Sequence, residues 1–288
     1  MARTPPDFER SEVVDDAVCR RLAEVYRLLR GHFGYAKCWW PGSPWRVAIT
    51  AMLVQQCDWT VADQAAGRLE QAGLFTIDEL SQAEPSDIAR TIQPVSFSPT
   101  KAERLIGFAA TLKGWDFHTI ETFLASADTK ALRRSLLTVK GIGDETADCI
   151  LLYSGNDHPC FVIDAYTRRF FSRVRLSSDH DERFWKRPSA TLRESLERHI
   201  LASLDLYAGF DFDESVERPV ALLRDYHALL VEIGRHHCLK TRPRCWEEGK
   251  VGWKDYLFCQ THCVGNGCKA CPLENVCHHA DSIESPSR

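Results

Sequence analysis

A turn with two glycines is the first feature of this sequence whose residues could bind another molecule. Gly141 and Gly143 stand one residue apart, after an apolar run that ends at Val139 and before an apolar repeat that includes Ala147. Glycine lets the backbone take positive φ and approach a partner closely, and the N–H groups opening the next helix suit a phosphate. The pattern predicts a hairpin of two helices that can bind an anion, although most such turns are simple caps.

Asp164 is the residue that could act on a bond. It lies 19 residues after Glu145, behind the β-like run Phe161–Ile163 and before a helix expected to begin at Ala165. An acid in this place can be an ordinary N-cap. A carboxylate can also stabilise developing positive charge and orient or deprotonate an attacking water. The residue types alone leave both interpretations open.

Cysteines form the third group with chemical potential. The chain has 12, and seven of them lie between residues 238 and 277. The N-terminus lacks the apolar core of a signal peptide and no stretch could span a bilayer, so we expect an intracellular protein, in the cytoplasm or nucleoid if the source is prokaryotic. Thiols bunched in a reducing compartment favour metal or cluster ligation over disulfides. Five single cysteines are expected to be ordinary buried residues: Cys19, Cys38, Cys57, Cys149 and Cys160.

Apolar residues at helical spacing predict the elements that position these groups. One helix is expected from Asp15 to Leu29, closed by Gly31, and a buried one from Pro44 to Val54. Several short helices follow as far as the hairpin. The polar stretch between residues 176 and 224 looks like an insertion without visible chemistry.

Length and charge bound the class of protein. At 288 residues and 44% apolar composition, the chain can bury a full core as one or two domains. A formal net charge of −4 means that nucleic-acid binding would need a local basic patch. Basic residues that surround the hairpin are Arg133, Arg134, Lys140, Arg168, Arg169, Arg173 and Arg175, and others further on are Arg235, Lys240, Arg242 and Arg244.

The hairpin from Val139 to Ala147, Pro159 in the following loop and the segment that ends at Asp164 together resemble one superfamily of DNA glycosylases. This is the helix-hairpin-helix, Gly/Pro-rich loop, Asp superfamily, the endonuclease III group, and the resemblance covers about residues 20–175 and 220–278. It implies an all-α, two-domain helix-hairpin-helix glycosylase architecture with a C-terminal cysteine-ligated metal cluster loop. It also gives Asp164 the catalytic role.

The resemblance also suggests how the domains divide the chain. The expected parts are a helical domain from 15–43 and 156–237 with an insertion at 177–219, a helical barrel domain of 44–155 that ends in the hairpin, a cysteine-rich segment of 238–278, and flexible tails of 1–14 and 279–288.

A Trp-Trp-Pro loop and the Leu-Val-Gln segment look like the 3-methyladenine branch of this family. The likeness places a flipped base among Trp39, Trp40, Pro41 and Trp59, and makes Gln55 the side chain that fills the gap left in the duplex. Stacked indoles can select an electron-poor, cationic purine without reading its edge. The residues that would bind DNA phosphates are Lys140, Gly141, Ile142, Gly143 and Arg168.

Glu145 bears on strand cleavage. Bifunctional members of the family carry a lysine immediately before the Thr-Ala of the hairpin, and that lysine attacks C1′ to form a Schiff base. Glu145 occupies this position here, and a carboxylate cannot form an imine. The resemblance therefore implies a glycosylase without AP-lyase activity.

The cysteine spacing resembles the pattern with which endonuclease III relatives hold a [4Fe–4S] cluster. The favoured ligands are Cys238, Cys245, Cys271 and Cys277, with Cys268 as an alternative to Cys245. Residues 246–267 interrupt the family pattern and add Cys259 and Cys263, which, with Cys268 and His262, could form a second site for zinc. Zinc for the whole set remains an alternative.

Three functions compete at this point. The first is a monofunctional glycosylase of base excision repair that hydrolyses an alkylated purine such as 3-methyladenine from double-stranded DNA. The second is a uracil, thymine-mismatch or oxidised-pyrimidine glycosylase, which would be expected to read a polar base edge. The third is a non-catalytic, DNA-structure-binding iron–sulfur protein. We expect a monomer without membrane contact.

Overall fold

The computed structural model of the chain describes residues 13–241, 271–273 and 275–277. Within these ranges the regular structure is helical and contains no strand, which confirms the predicted all-α class. The predicted cysteine-ligated loop falls largely outside the described residues. None of the helices in the described ranges has the length and apolarity needed to cross a membrane.

Twelve α-helices follow one another in the described residues. They are α1 (Asp16–Phe33), α2 (Pro44–Leu53), α3 (Trp59–Gln71), α4 (Ile77–Gln82), α5 (Pro85–Thr91), α6 (Ser98–Gly114), α7 (Ile120–Leu124), α8 (Thr129–Thr138), α9 (Asp144–Ser154), α10 (Ala165–Val174), α11 (Ser189–Leu201) and α12 (Arg218–His236).

The chain divides into two compact units. The first unit comprises the described residues of Met1–Trp39, Ile163–Asp213 and Asp225–Arg288. The second unit comprises Trp40–Val162 and Glu214–Arg224.

The second unit contains helices α2 to α9, and its local sequence explains where several of them begin. Ser43, Asp58, Thr76 and Asp128 each accept a hydrogen bond from a backbone N–H of the first helical turn that follows. Such side chains satisfy donors that a helix N-terminus leaves open. The buried faces of these helices then pack together, as where Trp45 stacks on a phenylalanine of α6.

The first unit is built around α1. Tyr26 is fully buried on this helix and makes edge-to-face ring contacts with Tyr207, Phe210 and Tyr226. Aromatic pairs in this geometry add to the free energy gained by burying their area. The rings therefore tie α1 to α12 and to the segment that precedes α12.

The polar stretch interpreted as an insertion contributes to this core. It contains α11 and two 3₁₀ turns, Phe184–Lys186 and Leu204–Tyr207. Trp185 is buried and stacks on Phe171, with ring centroids 5.1 Å apart and planes 17° apart. Because most residues of this stretch are polar, its sequence did not indicate that a few large apolar side chains, such as Trp185, anchor it in the core.

Three local expectations were wrong. Helix α1 runs through Gly31 and ends at Phe33, one turn beyond Leu29, because Phe33 is buried; Gly34 caps it with φ +78°. The β-like run Phe161–Ile163 is buried but is not a strand, and the described residues contain no strand with which it could pair. Cys38 is exposed and Cys57 half-buried, because both lie in turns outside the helices, whereas the other three single cysteines are buried.

Candidate active site

The hairpin lies in the second unit, between α8 and α9. Gly141 has φ +95°, and a Cβ at this position would collide with the side chain of Arg104. Ile142 is buried and anchors the turn, and Gly143 caps α9 without a side-chain hydrogen bond. Lys140 is exposed beside it. A glycine turn, an exposed cation and a helix start without a side-chain cap form an arrangement suited to an anion.

Arg133 holds the two hairpin helices together. Its guanidinium donates to the carboxylates of Asp144 and Asp148, and the Nε to Oδ1 distance to the buried Asp148 is 2.6 Å. Burial lowers the pKa of Arg133, but the two carboxylates outweigh it and leave that pKa raised. This pairing offsets the negative charge of Asp144 at the N-terminus of α9, where a phosphate would otherwise be repelled.

Gln55 is hydrogen-bonded to the hairpin. Its Nε2 donates to the carbonyl of Gly141 at 3.0 Å and to Oγ1 of Thr146 at 2.9 Å, and its Oε1 accepts from Arg104 at 3.3 Å. The buried Lys101 donates to the Gln55 carbonyl at 2.7 Å. The side chain expected to fill a gap in the duplex is therefore engaged with the turn expected to bind phosphate.

Trp40 and Trp59 come together in the second unit, with ring centroids 5.0 Å apart at 84°. Tyr153, near the end of α9, joins them with its ring 5.1 Å from that of Trp40. The indole N–H of Trp40 donates to Thr50, and both indoles are half-buried. Sequence reasoning missed Tyr153, whose only signal was an aromatic ring two turns along the hairpin helix from Glu145. Pro41 and Glu145 are exposed in the same unit.

Asp164 lies in the first unit, where it is both a helix cap and a buried carboxylate. Its Oδ1 accepts from the backbone N–H of Thr167 at 2.6 Å, and its Oδ2 lies 3.7 Å from Nε2 of His227. Burial raises the pKa of Asp164, but His227 and Thr167 outweigh it, so that pKa lies below its ordinary value. His227 and Thr167 therefore favour the ionised form of this carboxylate. No sequence signal pointed to His227.

Trp39 belongs to the first unit and has its own partners. Its indole Nε1 donates to Oε1 of Glu232 at 2.9 Å, and its ring meets that of His227 edge to face. The other oxygen of Glu232 lies 3.2 Å from Nε2 of His236. Both Glu232 and His227 are buried side chains of α12.

Arg168, expected to contact phosphate, is used within the first unit. Its guanidinium donates to the carbonyls of Trp185 and Arg187, both at 2.8 Å, and to Oγ of Ser189 at 2.7 Å. These bonds hold the 3₁₀ turn that precedes α11. Phosphate binding by this residue stays a prediction, and would add to an existing structural role.

Three of the candidate cluster ligands are described: Cys238, Cys271 and Cys277. Arg173 donates to Sγ of Cys238 at 3.1 Å, and its carbonyl accepts from Sγ of Cys277 at 3.8 Å. Burial raises the pKa of Cys238 despite the nearby Arg173. Among the described residues no group of three metal-binding side chains is close enough to hold an ion. The other candidates, Cys245, Cys259, Cys263 and Cys268, lie outside the described ranges.

Comparison with known proteins identifies related sequences and folds. A family model for the HhH-GPD superfamily base excision DNA repair protein matches residues 49–194. A protein of Methanocaldococcus jannaschii, provisionally named a DNA repair glycosylase, is 28% identical over 257 residues, which are 89% of this chain and 95% of that protein.

Two solved structures share the fold. The H. pylori 3-methyladenine DNA glycosylase MagIII, bound to 1,N6-ethenoadenine, superposes with a TM-score of 0.59 at 22% identity, covering 74% of this chain and 97% of that one. A non-covalent endonuclease III–DNA complex gives a TM-score of 0.61 at 15% identity, covering 92% of this chain and 97% of that one. At these identities the likeness is one of fold alone.

The contact between Gly141 and Arg104 leads to a prediction about the hairpin. Gly141→Ala should lower the free energy of unfolding by about 1–2 kcal/mol from the positive φ alone, with the collision adding to that cost. Adding Arg104→Ala to this variant should recover the collision part only. Chemical unfolding monitored by circular dichroism measures each change.

Gly107→Ala is the matched control, since Gly107 is an exposed residue of α6 and no atom lies within 4 Å of the position that a Cβ would take there. It should raise the free energy of unfolding by up to about 1 kcal/mol. Equal stability of the Gly141→Ala and Gly107→Ala variants would contradict the strained turn.

Proposed function

Because the chain belongs to the HhH-GPD superfamily of base excision DNA repair proteins, we propose that it is a monofunctional DNA glycosylase that releases alkylated purines such as 3-methyladenine. The observation that carries this substrate class is the contact among the rings of Trp40, Trp59 and Tyr153, with the Trp40 N–H donated to Thr50. Such a cluster offers ring faces for stacking, and a cationic purine is attracted to ring faces.

DNA binding would begin at the hairpin. The main-chain N–H groups near Gly141 and Gly143 would bind phosphate, and Lys140 would add a positive charge. The damaged nucleotide would rotate out of the stack at a cost of a few kcal/mol. Gln55 would then leave Gly141 and Thr146 and take the vacated place in the duplex.

Asp164 would act on the glycosidic bond. As the bond from C1′ to the base nitrogen breaks, positive charge develops at C1′ and O4′, and the ionised carboxylate stabilises it. The oxygen of a water molecule adds to C1′, and its proton passes to Asp164 or to solvent. The electron pair of the broken bond leaves with the base, which becomes neutral because alkylation had made it cationic.

An endonuclease III-like substrate is the second candidate, because the endonuclease III fold covers most of the chain. A uracil, mismatched thymine or oxidised pyrimidine would need polar groups directed at the base edge, and the aromatic cluster offers few. A non-catalytic DNA-binding protein would need residue 164 only as the N-cap of α10, a role that an uncharged asparagine would fill equally well.

We propose further that a [4Fe–4S] cluster is held by Cys238, Cys245, Cys271 and Cys277. Thiolates are the donors that such clusters use, and Arg173 contacts two of these cysteines, so the donor chemistry fits. A bound cluster would supply a cross-link between the end of α12 and the C-terminal residues. Zinc on the same thiolates is the alternative.

One incubation should test substrate and strand cleavage together. Duplexes that each carry 3-methyladenine, uracil, mismatched thymine or an oxidised pyrimidine are mixed with the protein, and released base is measured by chromatography. We expect release of the alkylated purine, a strand that stays whole until alkali is added, and no adduct on borohydride reduction, because Glu145 cannot form an imine.

Glu145→Lys tests the same position by introducing an amine that can form an imine with the sugar. Borohydride should then trap a covalent adduct between this variant and DNA. Release of pyrimidines alone would replace the alkylpurine assignment with the endonuclease III-like one. Trapping by the unaltered protein would refute the monofunctional assignment.

Substitution of Asp164 should separate its two roles. Asparagine is as good an N-cap as aspartate, so Asp164→Asn should keep the cap of α10 and remove the charge. We expect base release to fall by several orders of magnitude while duplex affinity changes little, because the charge acts mainly in the transition state. Asp164→Ala should in addition lose about 1 kcal/mol of stability with the cap. Equal loss of DNA binding and turnover in Asp164→Asn would show that the residue only supports the fold.

Metal content should decide the cofactor. The purified protein is expected to be yellow-brown and to contain about four iron atoms per chain, since one cluster on four cysteines holds four irons. Elemental analysis measures iron and zinc together, and Cys38→Ser is the control because that exposed thiol lies outside the cysteine-rich segment. Colourless protein that contains zinc alone would leave the glycosylase assignment in place and remove the cluster.

A further inference from the structure

His227 lies between two residues that the proposed reaction needs. Its Nε2 is 3.7 Å from Oδ2 of Asp164, and its ring meets the ring of Trp39 edge to face, with centroids 5.9 Å apart. All three residues belong to the first unit. His227 is 2% exposed and Asp164 is 7% exposed, so both are largely withdrawn from water.

The two oxygens of Asp164 have different surroundings. Oδ1 is held by the backbone N–H of Thr167, which places the carboxylate at the start of α10. Oδ2 faces His227 at a distance longer than a hydrogen bond. Catalytic contacts are often long without substrate and tighten in the complex. His227 is therefore placed to hold Oδ2 when DNA binds.

Trp39 has a second partner on α12 besides His227. Glu232 lies five residues after His227 on α12, is 1% exposed, and accepts the indole N–H at 2.9 Å. The indole therefore contacts α12 through both its N–H and its ring. Movement of His227 would change the surroundings of Asp164 and Trp39 together.

Three other charged side chains on α10 and α12, those of Arg168, Arg169 and Glu232, have partners of their own. Glu232 faces His236 across 3.2 Å, and Arg169 of α10 donates to the carbonyls of Gly234 and Cys238. Arg168 is bonded to the turn before α11. Of the ionisable groups named here, His227 is the one that faces the carboxylate of Asp164.

We propose that His227 is a positioning residue of the base-release reaction. It fixes the position of Oδ2 of Asp164 relative to Trp39. This inference rests on the proposed function, because it assumes that Asp164 acts at C1′. His227 acts through Asp164 and touches neither water nor sugar. A buried carboxylate needs such a partner, since burial alone favours its protonated form.

Two substitutions of His227 separate positioning from packing. Leucine keeps much of the volume and removes the ring nitrogen, whereas glutamine can place an amide N–H near the position of Nε2. His199→Leu is the matched control, because His199 is another buried histidine of the first unit, bonded to a backbone carbonyl of α11. Single-turnover release of 3-methyladenine is measured for each variant from pH 4 to 9.

His227→Leu should lower the maximal single-turnover rate constant by about 10- to 100-fold, as expected for a small misplacement of a catalytic group. The protein concentration that gives half of that maximal rate should change little. The acid limb of its pH profile should move to higher pH, because Asp164 loses a partner that favours its ionised form. His227→Gln should recover most of the rate, and His199→Leu should match the wild type. An unmoved acid limb in His227→Leu, or equal loss in the leucine and glutamine variants, would overturn the proposal.

A second measurement does not depend on activity. With ¹³C-labelled aspartate, the carboxyl resonance of Asp164, assigned through Asp164→Asn, should titrate at higher pH in His227→Leu than in the wild type. An unchanged titration would overturn the role of His227 even if bases are released. If the wild type releases no base from any duplex but the titration moves, the proposed function fails and the pairing of His227 with Asp164 stands.

Discussion

Burial of charge on α12 is the constraint on which the first unit depends. Asp225 is 1% exposed, and taking a carboxylate out of water costs several kcal/mol unless other groups satisfy it. The hydroxyl of Tyr26 and the guanidinium of Arg30 donate to one of its oxygens, and the backbone N–H of Ala36 donates to the other at 2.8 Å. Burial nevertheless raises the pKa of Asp225, despite the nearby Arg30.

The same requirement recurs two and seven residues further along the helix, at His227 and Glu232. Glu232 is satisfied by Trp39, and His227 faces Asp164. Each buried ionisable group on α12 therefore fixes a residue distant in the chain. Asp225 binds the backbone N–H of Ala36, and Glu232 binds the indole of Trp39 three residues later. The loop that carries Trp39 is therefore attached to α12 at two points.

In the second unit, hydrogen bonds link the side chain expected to enter the duplex with the turn expected to bind phosphate. Gln55 bonds to the carbonyl of Gly141, and Arg104 covers that glycine while donating to Gln55. Phosphate binding at the turn and movement of Gln55, as proposed above, would therefore both involve this one set of contacts. Affinity for a duplex would include the free energy of releasing these bonds.

Local physics was sufficient where a feature depends on a few neighbouring residues. Local patterns in the sequence predicted most helix starts and the glycine turn, and the resemblance to the glycosylases implied the all-α class. The sequence itself shows that Glu145 stands where bifunctional members of that family have a lysine. Tertiary structure decided the rest. A helix can run through Gly31 when Phe33 is buried, Arg168 is used by the segment before α11, and Tyr153 joins Trp40 and Trp59 only after folding. The partners of Asp164 and Trp39 lie 63 and 193 residues away, at His227 and Glu232, and no spacing in one sequence encodes contacts at that range.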